Sequence, residues 1–418
     1  MQRATEDKAE GGKLKAESAG ADDGVVRLAM LVACASVLQV AESLFPHPLP
    51  GVRLGLANIV TVVAMVYYGT SSAIQLAVLR TLISSMVLGT FLTPTFVLSF
   101  SGGVVSALVM VLLYRFSRGG GPLRFSLIGI SVGGAVSHIL TQVALVYLLF
   151  IRSSGVLWLW PWLCVAAVVT GGLTGMIAVQ AVRRLERGDA SAATSVPPHG
   201  LDRSDVSETP GRYSIIGRLR PEVKIAAVVA LGLAVVVLSD YALYAAVFLL
   251  LAVVAALARV RLSRLLAGLK RIWVLLVAAL VMPPIFSPWG RVSLELGPLR
   301  VTSQGLQEGA VFASRILLLF LATAVLAETT APPELATGLE KLLRPLRVFR
   351  VEPGRLARSL SLSWSYLPQF QQSVRRMVGA DRGRKGWLDR TVHLPGDIVA
   401  DMFRLAEQGA ASAQDVTS

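Results

Sequence analysis

The chain has 418 residues, of which 54% are apolar and 16% charged, with a mean hydropathy of +0.63. A soluble domain carries about a quarter charged residues, so this composition excludes an ordinary soluble protein and points to a lipid environment. The net charge of +14 does not mark a nucleic-acid partner, because the arginines cluster between and after apolar runs, where topogenic charge belongs, and no basic patch is interleaved with aromatics.

In chain order, Met1 to Asp23 is polar and mixed in charge, without the apolar core of a signal peptide, and is expected to be a cytosolic tail. Ten apolar runs come after it, at about 25–45, 52–68, 71–92, 94–114, 125–150, 157–181, 223–239, 241–258, 272–287 and 312–329. Runs of this kind read as transmembrane helices. The second, broken by Gly51, Gly55 and Asn58, is expected to be partly unwound, which requires burial in protein or a cavity. Arg115, Arg118 and Arg124, then Arg183, Arg184 and Arg187, then the group from Arg259 to Arg271, and finally Arg344 to Arg358 all fall on one side if the N-terminus is inside. Both termini are therefore expected in the cytosol of a bacterial inner membrane.

Residues 188–212 are rich in Ser, Ala, Pro, Gly and Asp, the composition of a flexible linker. The expected division is a tail (1–24), a six-helix domain (25–182), a linker (183–217), a four-span domain (218–330) and a cytosolic C-terminal part (331–418). Pro332-Pro333-Glu334 reads as a helix start, and Pro345 and Pro353 are expected to break the C-terminal part into short helices. Leu356, Leu360, Trp364, Leu367 and Phe370 recur at helical spacing and predict an amphipathic helix that lies on the membrane or docks another protein. The fold class is thus all-α: a polytopic bundle of about ten transmembrane helices in two halves, with amphipathic helices outside the bilayer.

Polar groups at membrane depth are functional candidates. In the first half these are Glu42, Arg53, Asn58, Arg80, His138 and Gln142. His138 and Gln142, four residues apart, share a helix face and offer donors and acceptors to a bound solute. Hydrogen bonding between helices is the alternative for Asn58, His138 and Gln142, and snorkelling to an interface is the alternative for Arg80. Gly102-Gly103, Gly133-Gly134 and Gly171-Gly172 predict close helix packing. Cys34 and Cys164 lie in apolar runs and suggest neither disulfide nor metal site.

Pro50-Gly51-Val52-Arg53-Leu54-Gly55-Leu56-Ala57-Asn58, with Ala41-Glu42-Ser43, Leu79-Arg80-Thr81, Gly89-Thr90, Ser101-Gly102-Gly103 and Gly133 to His138, resembles the signature of the Gx transporter family, also labelled heptaprenyl diphosphate synthase component I. Ile139 stands where an Asn would follow the His. The resemblance covers about residues 25–182 and implies a six-helix substrate-binding S component of an energy-coupling factor (ECF) transporter. It also implies that Ala29 and Ala33, at the spacing alanine-x-x-x-alanine, pack on a coupling subunit. A prenyl diphosphate synthase would need clustered aspartates to hold magnesium. No DDxxD-type cluster occurs, so synthase activity is rejected.

The second half resembles the transmembrane T component of ECF transporters, the cobalt-transporter permease family, over about 218–390. The matching segments are Arg220-Pro221-Glu222-Val223-Lys224, Gly305-Leu306, Ser314-Arg315-Ile316, Glu328 to Leu335, Leu342 to Leu346, Leu362 to Pro368, and Ala380-Asp381-Arg382-Gly383. In that family an Ala-Arg-Gly motif ends each of two coupling helices and seats its Arg in a partner ATPase. Arg382 and Gly383 are the candidate first motif, with Asp381, after Ala380, in place of the motif's alanine. Ala406-Glu407-Gln408-Gly409 stands at the second without an Arg.

No GxxxxGK[ST] phosphate loop occurs, so no cofactor is expected to bind directly and ATP would act through separate ECF-type ATP-binding subunits. The expected protein is a non-enzymatic permease whose partners are those subunits, the lipid bilayer and a small solute, with no nucleic acid. The resemblance suggests a vitamin, flavin or isoprenoid precursor as the solute. A membrane scaffold or assembly factor, or an ATP-independent facilitator, are the alternatives.

Overall fold

A computed structural model describes residues 24–43, 55–88, 90–119, 124–150, 160–187, 216–237, 240–286, 292–296, 299–345, 353–380 and 394–417. The first half comprises α1 (Gly24–Ser43), α2 (Leu56–Leu88), α3 (Pro94–Arg118), α4 (Leu127–Leu145, continued by a π-helical turn, Val146–Phe150) and α5 (Trp160–Arg187). The second comprises α6 (Pro221–Val237), α7 (Tyr241–Leu257), α8 (Leu262–Phe286), the strands β1 (Val292–Leu296) and β2 (Leu299–Thr302), and then α9 (Ser303–Thr329), α10 (Pro332–Leu343), α11 (Pro353–Ala380) and α12 (Leu394–Thr417).

The expected membrane helical bundle is present, but the count of ten spans is not confirmed among the described residues. Among the described residues, six helices are long and apolar enough to cross a bilayer: α1, α2, α3, α4 with its π turn, α5 and α9. The second and third expected spans are the two helical stretches of α2, one on each side of a kink at Gly69. The backbone there has φ +87° and ψ 175°, a conformation glycine alone adopts readily. A Cβ there would meet nothing within 4 Å, so backbone geometry rather than crowding calls for glycine. Helices α6 and α7 have 17 residues each, and α8 carries Arg264, Lys270 and Arg271 in its first half.

Local chemistry sets several helix starts. Thr93, Ser126, Asp240 and Thr302 each accept a backbone N–H from the first turn of α3, α4, α7 and α9, satisfying donors that have no partner within the helix. Pro332-Pro333 opens α10 as expected, and Glu334 reaches back to the N–H of Ala331 at 3.3 Å. The short α10 ends at Leu343, just before Pro345, and Pro353 begins α11, as expected, but α11 then runs 28 residues through Pro368 and is not a short helix. The hairpin β1–β2, antiparallel with Leu296 opposite Leu299 and Val292 opposite Thr302, was not expected. It arises from the alternation in Val292-Ser-Leu-Glu-Leu296 and Leu299-Arg-Val-Thr302.

In the first half, α4 packs closely on both α3 and α5. A Cβ on Gly171 would lie 2.9 Å from the Cα of Val132, so α4 and α5 touch backbone to backbone there, while one on Gly172 would meet nothing within 4 Å. Close packing thus belongs to one member of that pair. Arg115 Nη2 donates to Thr70 Oγ1 at 3.2 Å, and the Tyr67 hydroxyl donates to the Val182 carbonyl at 3.4 Å. The Gly69 break, the end of α3 and the end of α5 therefore meet at one basic end of the bundle. Helix α5 continues to Arg187, so the basic group assigned to the linker is helical; residues 188–212 lie outside the described residues.

The halves are not separate bodies. One apolar core contains Leu31, Ile83 and Ile177 of the first half together with Leu360, Phe370, Met402 and Phe403 of the second. The amphipathic face of α11 enters this core through Leu360, Leu367 and Phe370, with Leu356 and Trp364 packed at its margin. This helix packs on α10 of its own half and on α2 of the first half.

Candidate functional site: a polar cavity and the face that joins the halves

A cavity enclosing about 740 Å³ of non-protein space, its open mouth included, lies within the first half. Helix α1 contributes Gln39 and Glu42, one turn apart; Gly55 and Asn58 stand at the start of α2, with Arg80 and Thr81 further along it. Ser99 and Gly103 come from α3, Ser131 and His138 from α4, and Thr170 and Thr174 from α5.

Three contacts build the wall. Both oxygens of the buried Glu42 carboxylate accept backbone N–H groups, from Gly55 at 2.6 Å and Leu56 at 3.1 Å. The carboxylate therefore caps the start of α2, where free N–H groups and the positive end of the helix favour an anion. Arg80 is 6% exposed, so it does not snorkel outward. Its Nη2 donates to Asn58 Oδ1 at 2.5 Å and its Nη1 to Gln39 Oε1 at 3.5 Å, which orients the guanidinium. The His138 ring occupies space left by Gly102, where a Cβ would lie 2.9 Å from ring atoms Cε1 and Nδ1.

Four of the six candidates, Glu42, Asn58, Arg80 and His138, thus come together at one cavity. Among the described residues that line it Gln142 is absent; it lies one turn beyond His138, and its carbonyl caps the end of α4. Arg53 lies outside the described residues. Gln39, Thr81, Ser99, Ser131, Thr170 and Thr174 escaped the sequence reading. Gln39 was legible as a polar residue three positions from Glu42 on one helix face. The hydroxyls were not, because in apolar helices Thr commonly bonds its own backbone, as Thr81 does to Ala77 O and Thr174 to Thr170 O.

At the junction of the halves, Ala29 and Ala33 are fully buried, and Ala33 belongs to the shared core. Cys34 Sγ lies 3.1 Å from Met402 Sδ. Phe403 stacks on Tyr68 with centroids 6.1 Å apart, the Arg27 guanidinium covers the same Tyr68 ring, and the Tyr68 hydroxyl donates to Glu407 at 2.9 Å. Arg184 pairs with Asp397, and Arg404 donates to the Arg184 carbonyl at 3.0 Å. Burial raises the Asp401 carboxyl above the usual range, against the opposing pull of Arg184 and Arg404. Ala380 is the last residue of α11; Arg382 and Gly383 lie outside the described residues.

Within the second half, segments distant in sequence converge. Buried Lys224 donates to the Thr329 carbonyl at 2.9 Å and to the Gly217 carbonyl at 3.4 Å, holding the start of α6 against the end of α9. Glu222 pairs with Lys341 at 3.0 Å and Arg264 with Glu328 at 2.7 Å. Arg315 Nε donates to the Tyr244 hydroxyl at 2.8 Å and the Val235 carbonyl at 3.1 Å, a cation at the C-terminal end of α6.

Residues 213–404 match the family described as "Cobalt transport protein" and residues 31–181 the family described as "Heptaprenyl diphosphate synthase component I". Similar curated proteins include the energy-coupling factor transporter transmembrane protein EcfT of Listeria innocua, 32% identical over 178 residues, which are 42% of this chain and 67% of that protein. The EcfT of Thermosediminibacter oceani is 30% identical over 180 residues, 42% of this chain and 68% of that protein. The EcfT of Bacillus subtilis is 28% identical over 178 residues, again 42% and 67%. The chain belongs to the EcfT family.

It carries the membrane T component of an ECF transporter with an S-like domain in front of it. The match to the T component spans Lys224 and Thr329, and Arg315 with Tyr244, and continues into α12 as far as Arg404. The other match, residues 31–181, spans most of α1 through α5 and so encloses the cavity. Its relatives being transporter components, the chain is an integral membrane transport protein.

Proposed function

We propose that this chain is a membrane permease of an ECF-type transporter, uniting solute binding and energy coupling in one polypeptide. The observation that carries the reading is the shared core: the cavity-bearing half packs on α11 and α12 of the T-component half. In this reading Glu42, Asn58, Arg80 and His138 form the solute site, and Arg53 is proposed as a further solute ligand. Ala29 and Ala33 make the interface between the parts. Arg382, with Ala380 and Gly383, seats in a separate ATP-binding subunit; an Arg suits that task because its rigid fork of donors matches carboxylates and helix ends.

The chain has no phosphate-cradling GxxxxGK[ST] loop, so hydrolysis is assigned to the partner subunits. Closure of those subunits would move α11 and α12, and the S-like half, seated on them, would reorient about a fixed site, as alternating access requires. Fusion keeps the S part at high local concentration beside its T part. The protein is assigned to the bacterial cytoplasmic membrane, with the basic end of the bundle and both termini in the cytosol.

The test is an affinity pull-down of the tagged chain from its native membrane in mild detergent, beside Arg382→Glu. ATP-binding subunits are expected with the wild type and are lost from the variant. Their absence even after crosslinking, with some other enzyme in their place, would instead make this a scaffold.

A further inference from the structure

Basic and apolar side chains meet on the outside of the bundle, at the turn between α3 and α4. Leu108, Leu112 and Phe116 recur every four residues and form an exposed stripe along α3. Arg115 and Arg118, exposed in the last turn of that helix, stand where the stripe ends. Beyond the turn, exposed Arg124 and Phe125 precede α4, and Ile128 is exposed in its first turn. Ser117 ties the two sides together: its hydroxyl accepts the Phe125 N–H at 2.9 Å and donates to the Phe125 carbonyl at 3.4 Å.

Both arginines of α3 are steadied by uncharged partners. Arg115 Nη2 donates to Thr70 Oγ1 at 3.2 Å, and the Arg118 guanidinium lies over the Tyr114 ring, 5.1 Å from its centroid. A guanidinium carries five N–H donors in one plane, so one bond to a hydroxyl engages few of them, and stacking engages the face rather than the edge. No Asp or Glu occurs between Glu42 and Glu186, so α2, α3, α4 and the turns between them contain no carboxylate. Among the described residues, no carboxylate pairs with Arg115, Arg118 or Arg124.

Helix α3 is long and apolar enough to cross a bilayer. Its stripe then lies in hydrocarbon and its basic end at headgroup depth. A partner in the aqueous phase would reach the arginines but not the stripe, whereas a lipid brings both an anion and an acyl chain.

We infer that this turn binds an anionic phospholipid, with its phosphodiester held by Arg115, Arg118 and Arg124 and an acyl chain along Leu108, Leu112 and Phe116. A zwitterionic phospholipid offers the same phosphate, but its ammonium group would bring a further cation among three others. Such a site needs neither the solute assignment nor the coupling assignment, only that α3 spans the bilayer.

The test is native mass spectrometry of the delipidated full-length protein in mild detergent, titrated with phosphatidylglycerol, phosphatidylethanolamine or phosphatidylcholine of identical acyl chains. The wild type is expected to hold phosphatidylglycerol at least about 10-fold more tightly than either zwitterionic lipid. Arg115→Gln with Arg118→Gln and Arg124→Gln should remove most of that preference, and the corresponding three Lys substitutions, which keep charge without the fork, should recover part of it. Arg259→Gln with Arg261→Gln and Lys270→Gln removes the same charge from exposed positions elsewhere and should leave the preference intact. Free glycerol 3-phosphate, a head without chains, should not displace the bound lipid.

Equal binding of the three lipids by the wild type overturns the inference whatever the variants do, so a variant that fails to fold does not decide the matter. An equal loss in the second triple variant also overturns it, because the preference would then follow net charge and not this turn. Displacement by glycerol 3-phosphate would make the turn a site for a soluble phosphate. If the lipids bind alike and the first triple variant instead loses a co-purifying protein, the face docks that protein and the lipid assignment fails.

Discussion

The sulfur atoms of Cys34 and Met402 lie 3.1 Å apart although 368 residues of sequence separate them, and they join the first helix of the S-like half to the last helix of the T-component half. Met402→Cys should therefore form a disulfide with Cys34 under copper-catalysed oxidation. The expected readout is a product that stays in one piece after a protease site inserted between residues 188 and 212 is cut, and separates on reduction. If the halves reorient during transport, oxidation should also block solute uptake and reduction restore it. Cys34→Ser with Met402→Cys should do neither.

Glu42 is expected to act on structure as well as on the solute. Its two oxygens hold the N–H groups of Gly55 and Leu56, so Glu42→Gln keeps one acceptor and leaves one buried donor unsatisfied, a loss of about 1–3 kcal/mol. A fall in the thermal unfolding midpoint of the solute-free protein checks this. A midpoint unchanged beside weaker solute binding would mean that Glu42 contacts the solute alone.

Gly102 makes room for His138, so Gly102→Ala should displace the imidazole and weaken solute binding while the protein still inserts and purifies normally. Gly172→Ala is the control, since its added methyl meets nothing within 4 Å. Equilibrium dialysis against the solute distinguishes the two.

Asp401 gives the junction a pH dependence of definite sign. Burial favours its neutral form, with Asp397 adding in the same direction and Arg184 and Arg404 opposing. A folded-state value above the unfolded one means that its contribution to stability is complete below the unfolded carboxylate range and is lost as pH rises through the folded value. Asp401→Asn should remove that dependence, so its unfolding midpoint should exceed the wild type's at neutral pH and approach it in acid. A midpoint difference that does not vary with pH would contradict this.

Lys224 offers a test of the T-component half alone. Lys224→Met removes the donor from the Thr329 carbonyl and should lower stability by about 1–3 kcal/mol. Lower yield of monodisperse protein in detergent, with solute retention by the first half intact, is the expected result.

The membrane setting, the two halves and the polar candidates were all legible in the order of the residues. Long apolar runs have few stable alternatives to a helix in lipid, and a charge such as Arg80 within one is conspicuous because burying it is unfavourable. The start of α10 was legible too, since Pro332-Pro333-Glu334 is a local signal. Which of the polar residues share a cavity emerged only from the folded chain. Glu42, Asn58, Arg80 and His138 come from three helices, and nothing in their spacing along the chain says that they face one another. The hydroxyls of the wall were silent for a related reason: a Ser or Thr in an apolar helix looks alike whether it bonds its own backbone or faces a cavity. The docking of α11 and α12 on the first half was equally beyond reach. An amphipathic stripe declares that something covers it, but its partner is chosen by complementary packing across the fold, as Met402 and Phe403 are seated against Cys34 and Tyr68.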